Sequence, residues 1–216
     1  MEESKNKKPS GRRPERDSVN PDEILRIALK RFARQGYGGL TLNGLAKETG
    51  VTDSLLHYHF GGKEELWKKA LQKVGKKISD ELVELIRLVD DLDGLQQLKL
   101  FNKKVVYISA KYPEFQQIIV QEVFSESPRS EWLIEELLQP IYKFMTDIIE
   151  AEVRKGRIKD IPTANLTSFI IGSITTLFSR SYQMKKLYGV DAFDEEVVEE
   201  HASIINDLIF EGLLKK

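Results

Sequence analysis

The chain has no cysteine among its 216 residues. That excludes a disulfide scaffold, a thiol nucleophile, an iron–sulfur cluster and a Cys-ligated zinc site. Three histidines leave little for a His-rich metal centre. An excess of one charge is also lacking, with 33 Lys+Arg against 34 Asp+Glu and a formal net charge of −1. The N-terminus has no apolar core of the kind a secretory signal carries, so a cytoplasmic protein is expected. The longest uncharged stretch, 161–179, is close to membrane-spanning length. It contains eight Ser, Thr and Asn residues, so it reads as a buried helix, and no membrane partner is expected. What is present suits a soluble globular chain. A hydrophobic fraction of 41% supports a core, and 31% charged residues make a solvated surface.

The near-zero net charge hides an asymmetry. Residues 1–72 carry 14 Lys+Arg and 10 Asp+Glu, and residues 73–216 carry 19 and 24. A basic front and an acidic rear suggest that one end meets a polyanion. Lys5, Lys7, Lys8, Arg12, Arg13 and Arg16 lie in a segment with no apolar periodicity. Residues 1–18 therefore read as a disordered basic arm, or equally as an ordinary solvated terminus.

From Pro21 onward the pattern is helix after helix. Asn20 is placed to cap the first, with Ile24, Ile27, Ala28 and Phe32 as its apolar stripe. Further helices are expected over about 42–49, 53–60, 63–89, 95–111, 113–124, 130–155, 163–186 and 194–214. The one over 130–155 should kink at Pro140. No segment alternates with period two. The expected fold is all-α, with about nine helices.

The informative stretch runs from Thr41 to Phe60. Thr41 suits the N-cap of a short helix. Ala46 is small where a second helix must approach. Gly50 supplies a left-handed turn, Val51 is the buried turn residue, and Thr52 caps the next helix. Two short helices joined by a tight glycine turn are the geometry that sets a second helix into the major groove. An ordinary helical hairpin would read the same without its flanks. The flanks are Phe32, Ala33, Gly36 and Tyr37 before the motif, and Leu56, His59, Phe60, Lys63, Glu64, Glu65 and Leu66 across and after its end.

This block, about residues 21–70, resembles the DNA-binding domain of the TetR family of bacterial transcription regulators. The resemblance implies a helix-turn-helix domain over 19–66 and a helical effector-binding and dimerisation domain over 67–216. It implies DNA contacts from Thr41, Thr52, Ser54, Leu55, His57, Tyr58 and Lys63, with Leu56 and Phe60 packing inward on Phe32 and Leu45. Two positions depart from the family pattern. His57 stands where Tyr is usual, and Gly44 lies inside the second helix, where glycine costs about 1 kcal/mol relative to alanine.

The rear helices suit the same reading. Phe169, Ile170, Ser173 and Leu177 on one helix, and Val197, His201, Ile204, Ile205 and Leu208 on the last, form apolar faces that suit a four-helix homodimer interface. A monomer core would use the same residues. Tyr107, Gln121, Trp132, Phe144 and Ser173 are the candidate lining of a small-molecule pocket, though each also suits a core. No cofactor or metal is expected. The acidic run Asp90 to Gly94 fails as a calcium loop, because Val89 and Leu100 fall at ligand positions. No catalytic constellation is present, so no enzyme activity is expected. The reading is a ligand-responsive repressor, homodimeric on a pseudo-palindromic operator. The alternative is a DNA-binding adaptor whose rear domain docks a protein.

Overall fold

Caps and glycines set the helix boundaries. The computed structural model describes residues 20–214, so the expected arm over 1–18 lies outside the described residues. These fold into α1 (Pro21–Gly39), α2 (Leu42–Thr49), α3 (Asp53–Phe60), α4 (Lys63–Val89), α5 (Gly94–Lys111), α6 (Pro113–Glu122), α7 (Pro128–Leu133), α8 (Gln139–Arg154), α9 (Thr163–Ser179), α10 (Ser181–Tyr188) and α11 (Glu195–Leu213). A π-helical turn, Ile134–Leu138, joins α7 to α8. Among the described residues there is no strand, only an isolated bridge between Ile158 and Leu214. Asn20 accepts from the Asp22 amide at 3.0 Å and starts α1, as its sequence requires.

The fold is all-α, with two of the long helices expected from the sequence each divided. The segment expected over 130–155 starts at Pro128 and does not kink inside one helix. Pro140 sits in the first turn of α8, and the turn before it is π-helical. Proline has no N–H to donate to the previous turn, and the chain responds by widening: the Gln139 amide bonds back to Ile134 O. The segment expected over 163–186 breaks at Arg180, whose φ is −110° and ψ 22°. Gly189, with φ +71°, ends the short α10 that follows. α9 itself stays helical despite its polar residues, because the Thr167, Ser173 and Thr175 hydroxyls bond back to carbonyls four residues earlier. No helix among the described residues is long and apolar enough to cross a membrane.

One hydrophobic core runs through both halves. The 27-residue α4 carries it across. Its first turns bury Leu66, Trp67 and Leu71 against α1 and α3, and its later turns bury Ile78 and Leu82 among the rear helices. The domain boundary expected at 66/67 thus falls inside a continuous helix. In the rear half α5 is central, packed by α4, α8, α9 and α11, with Leu98, Phe101 and Val106 buried. At the far end, Asp93 caps α5 by accepting from the Leu95 and Gln96 amides. Gly94 leaves room for the buried Glu152 carboxylate, which pairs with Arg157 and Lys155. The acidic run is a helix–helix turn.

α4 and α5 are also tied by charge. Glu81 accepts from Lys104 at 2.7 Å, Lys111 at 2.7 Å and the Tyr112 hydroxyl at 2.8 Å. Burial pushes its carboxyl pKa up, but the three hydrogen bonds outweigh that and bring it down to about 2. A carboxylate with a depressed pKa stabilises the fold fully above its unfolded value, 4.5, and loses that contribution as pH falls towards about 2. Because Lys111 is exposed and screened, the cluster should contribute about 1–2 kcal/mol. Glu81→Gln is expected to lower the urea midpoint of unfolding at pH 7. The gap from wild type should narrow at pH 3. An equal gap at both values would contradict the ion cluster.

Candidate nucleic-acid interface and effector cavity

α2 and α3 form the turn that the sequence outlines. Thr41 Oγ1 accepts from the Gly44 amide at 3.1 Å, and Thr52 Oγ1 from the Leu55 amide at 3.2 Å. Gly50 is left-handed, φ +73°, and its N–H closes on Ala46 O. Leu40, Leu45, Leu56 and Phe60 are buried beneath, against Phe32 of α1. Gly44 has a reason here. A Cβ at this position would lie 2.9 Å from Thr41 Oγ1 and 3.2 Å from an Arg31 guanidinium nitrogen. The glycine lets Arg31 cross α2 and reach Glu48 at 3.4 Å.

The outer face of α3 presents Tyr58, which is 83% exposed, with exposed Ser54, His57 and His59 beside it. Thr52 and Ser54 hydroxyls lie 3.0 Å apart at its first turn. Leu55 is half-buried. His57 turns back along its own helix: Nδ1 lies 3.1 Å from Gly61 O, and Nε2 is 3.6 Å from Asp53. Lys63 is half-buried at the start of α4, its ammonium 3.4 Å from Gly38 O and 4.5 Å from the centre of the Tyr37 ring. α4 has no side-chain cap, so its first amides point outward beside Lys63.

Beneath Lys63 lies a junction that sequence reasoning missed. α1 breaks at Gly36, φ +70°, and resumes for one turn that holds Tyr37. The Ala33 carbonyl, in the last turn before the break, accepts from the Gln121 side chain of α6 at 2.7 Å. The Tyr37 ring meets Trp67 edge-on at 6.2 Å, and Trp67 meets Trp132 of α7 at 5.5 Å. The Arg129 guanidinium lies 3.9 Å from the Tyr37 ring centre and pairs with the buried Glu122 at 3.2 Å. Tyr37 and Trp67 stand in motif-bearing sequence, but Arg129 sits in a short helix with no pattern to flag it. The Trp67 indole is fully buried at this contact. The contact holds through packing and cation–π attraction.

The middle helices leave open space. A cavity of about 620 Å³ lies between α4, α5, α6, the π-helical turn, α8 and α9, with Ile108, Phe115, Ile119, Leu138 and Tyr142 among its walls. A neighbour of about 370 Å³ is lined partly by Phe101, Phe144 and Pro140. Of the five residues singled out in the sequence, Phe144 lines a cavity. Tyr107 packs half-buried with Lys103 over its ring, and Gln121 and Trp132 belong to the junction. Ser173 bonds to Phe169 O. Much of the larger lining is Ile, Leu and Val, which periodicity cannot separate from core, with Phe115 and Tyr142 among them. Burial raises the Tyr142 phenol pKa. Among the described residues no cluster of three or more His, Asp or Glu is placed to hold a metal.

α9 and α11 divide their apolar residues between inside and outside. Ile170 and Ile205 are buried in the chain's own core. Phe169 (61%), Ile204 (45%) and Leu208 (65%) are exposed, with half-buried Leu177 and Val197 alongside. His201 Nε2 lies 3.1 Å from Ile174 O, and its ring meets Phe178 edge-on, tying α11 to α9.

Comparison with known proteins agrees with this geometry. Residues 24–70 match the family described as bacterial regulatory proteins, tetR family. Residues 76–216 match the YcdC-like protein, C-terminal region. The chain is 24% identical over 208 residues to the HTH-type transcriptional repressor NicS of Pseudomonas putida, covering 94% of this chain and 97% of that one. It is 24% identical over 209 residues to the HTH-type transcriptional regulator RutR of Escherichia coli, covering 95% and 96%. Its fold resembles the ketosteroid transcriptional regulator KstR2 of Mycobacterium tuberculosis, with TM-score 0.69, 19% identity and coverage of 93% and 98%. It also resembles FadR of Bacillus subtilis in complex with stearoyl-CoA, with TM-score 0.67, 18% identity and coverage of 89% and 99%. With a glycine-turned, exposed second helix at one end and family matches that span nearly all the described residues, the chain belongs to the TetR family of bacterial transcriptional regulators.

Proposed function

We propose that the chain is a homodimeric repressor that reads a pseudo-palindromic operator through α3 and releases it when a small molecule enters the middle helices. The observation that carries this reading is the Tyr37 ring, which Lys63 of the DNA-binding half and Arg129 of the rear half both approach. Tyr58, Thr52 and Ser54 read base edges and phosphates. Thr41 and Lys63 grip the backbone at two helix starts. Leu55 is offered less fully, and His57 serves chiefly to close α3 on Gly61 O.

The exposed Phe169, Ile204 and Leu208 supply the dimer contact, with Ser173, Leu177, Val197 and His201 at its edge. Ile170 and Ile205 support it from below. Two such protomers set their recognition helices about 34 Å apart, one turn of DNA. A tightly filled middle would have favoured a protein-docking role. The two cavities favour a ligand. The larger is walled by α6 and the π-helical turn, and these elements lead directly to Gln121, Arg129 and Trp132 at the junction. A ligand that fits better when the junction is parted shifts the dimer away from DNA.

Selection of bound DNA from a random pool should recover an inverted repeat. On that site Lys63→Ala is expected to weaken binding about uniformly across sequences and to reduce the salt slope by about one. Tyr58→Ala should change both affinity and base preference. If Tyr58→Ala leaves both unchanged, α3 is not the reading helix. Arg129→Ala touches neither DNA nor cavity. It should cut the ligand-linked change in operator affinity, normally about fivefold or more, to under about twofold in a fluorescence-anisotropy titration. Full retention of the response would refute the Tyr37 junction as the link.

A further inference from the structure

The two cavities are neighbours with a common wall. Both are lined by Ile78, Leu82, Phe115 and Ile141, so the partition between them includes four apolar side chains. The π-helical turn borders both. Ile134, Glu135 and Leu138 face the larger cavity, and Glu136 and Leu137 face the smaller. Gly75 of α4 makes this possible, since a Cβ there would come within 2.9 Å of Leu137.

The charges of the linings are one-sided. Among the described residues, Glu135 is the only charged one lining the larger cavity. The smaller adds Lys76, Asp80 and Glu136, and Lys76 lies 2.9 Å from both Asp80 carboxylate oxygens, so those two cancel. What remains is a pair of adjacent exposed carboxylates, Glu135 and Glu136, on the turn that straddles the site. Aromatic faces add to this: Phe101 and Phe144 pair at 5.1 Å, Phe115 stands in the common wall and Tyr142 in the larger chamber. Rings of this kind attract cations and repel anions across their faces. The solved relative that holds stearoyl-CoA carries a polyanionic ligand. Among the described residues no arginine lines either cavity, and the single lysine is paired.

We infer that the two cavities form one elongated effector site, and that it takes a long apolar molecule with a cationic head held by Glu135 and Glu136. The inference rests on the ligand-responsive reading above and names the class of ligand. It also supplies the trigger. The head group engages the π-helical turn, which runs straight back into Trp132 and Arg129. A charge drawn to that turn shifts α7, and α7 is what stacks on Trp67 and Tyr37.

Calorimetry on the full chain tests this with dodecyltrimethylammonium, dodecanol and dodecanoate, each below its micellar concentration and without DNA. The cation is expected to bind about tenfold or more tightly than the carboxylate. Its affinity should rise by about threefold per methylene from the octyl to the dodecyl compound, because the tail fills both chambers. The exposed pair Glu135→Gln/Glu136→Gln should remove the preference for the cation and leave dodecanol binding unchanged. Dodecanoate binding as tightly as the cation would overturn the proposal. So would an affinity indifferent to tail length or to the double substitution, or no binding of any probe. Any of these would leave operator recognition standing, because the DNA selection is made without ligand.

Discussion

The structure depends on one aromatic ring shared by two domains. Tyr37 belongs to the final turn of α1, beyond the glycine that breaks it. A lysine at the foot of the DNA-binding surface and an arginine from the rear half both approach that ring. Cation–π contacts of this kind are worth about 0.5–2 kcal/mol each. That is enough to hold two bodies in register and little enough to be overridden by a ligand.

The rest of the rear half follows from that constraint. The cavity walls include α6, which is fastened to α1 through Gln121, and the π-helical turn, which continues α7. The π-helical turn, the tryptophan pair and Tyr37 therefore form an unbroken chain of contacts. α4 runs through both halves and carries Trp67 at one end and the cavity residues Ile78 and Leu82 at the other. Of the elements that wall the cavity, α4 carries Trp67 and the π-helical turn continues α7 with Trp132, so both reach the same aromatic cluster.

Local signals made the front of the chain legible. The caps Asn20, Thr41 and Thr52 and the turn at Gly50 are short-range devices, and each holds as its residue type requires. The all-α class was readable from periodicity. Less was readable where long-range contact decides. Pro140 announced a disturbance, but not its form, a π-helical turn closed by the Gln139 amide on Ile134 O. Gly44 costs helix propensity in α2, and its reason, Arg31 crossing over it, is a long-range contact that local sequence does not carry. The aromatic and polar residues singled out as pocket lining, apart from Phe144, serve other contacts, while most of the cavity wall is aliphatic residues that no pattern distinguishes from core. Arg129 carried no signal at all.

The most direct test of the account is the distance between the two DNA-reading domains of the proposed dimer, with and without the Tyr37 junction. The absence of native cysteine makes Lys47→Cys, exposed on α2, a single site for a spin label. Pulsed electron resonance on that variant should give one narrow inter-label distance, and adding Arg129→Ala should broaden it. No dipolar coupling would mean that the chain is not a dimer. An unchanged narrow distance after Arg129→Ala would mean that Tyr37 does not hold the two halves in register.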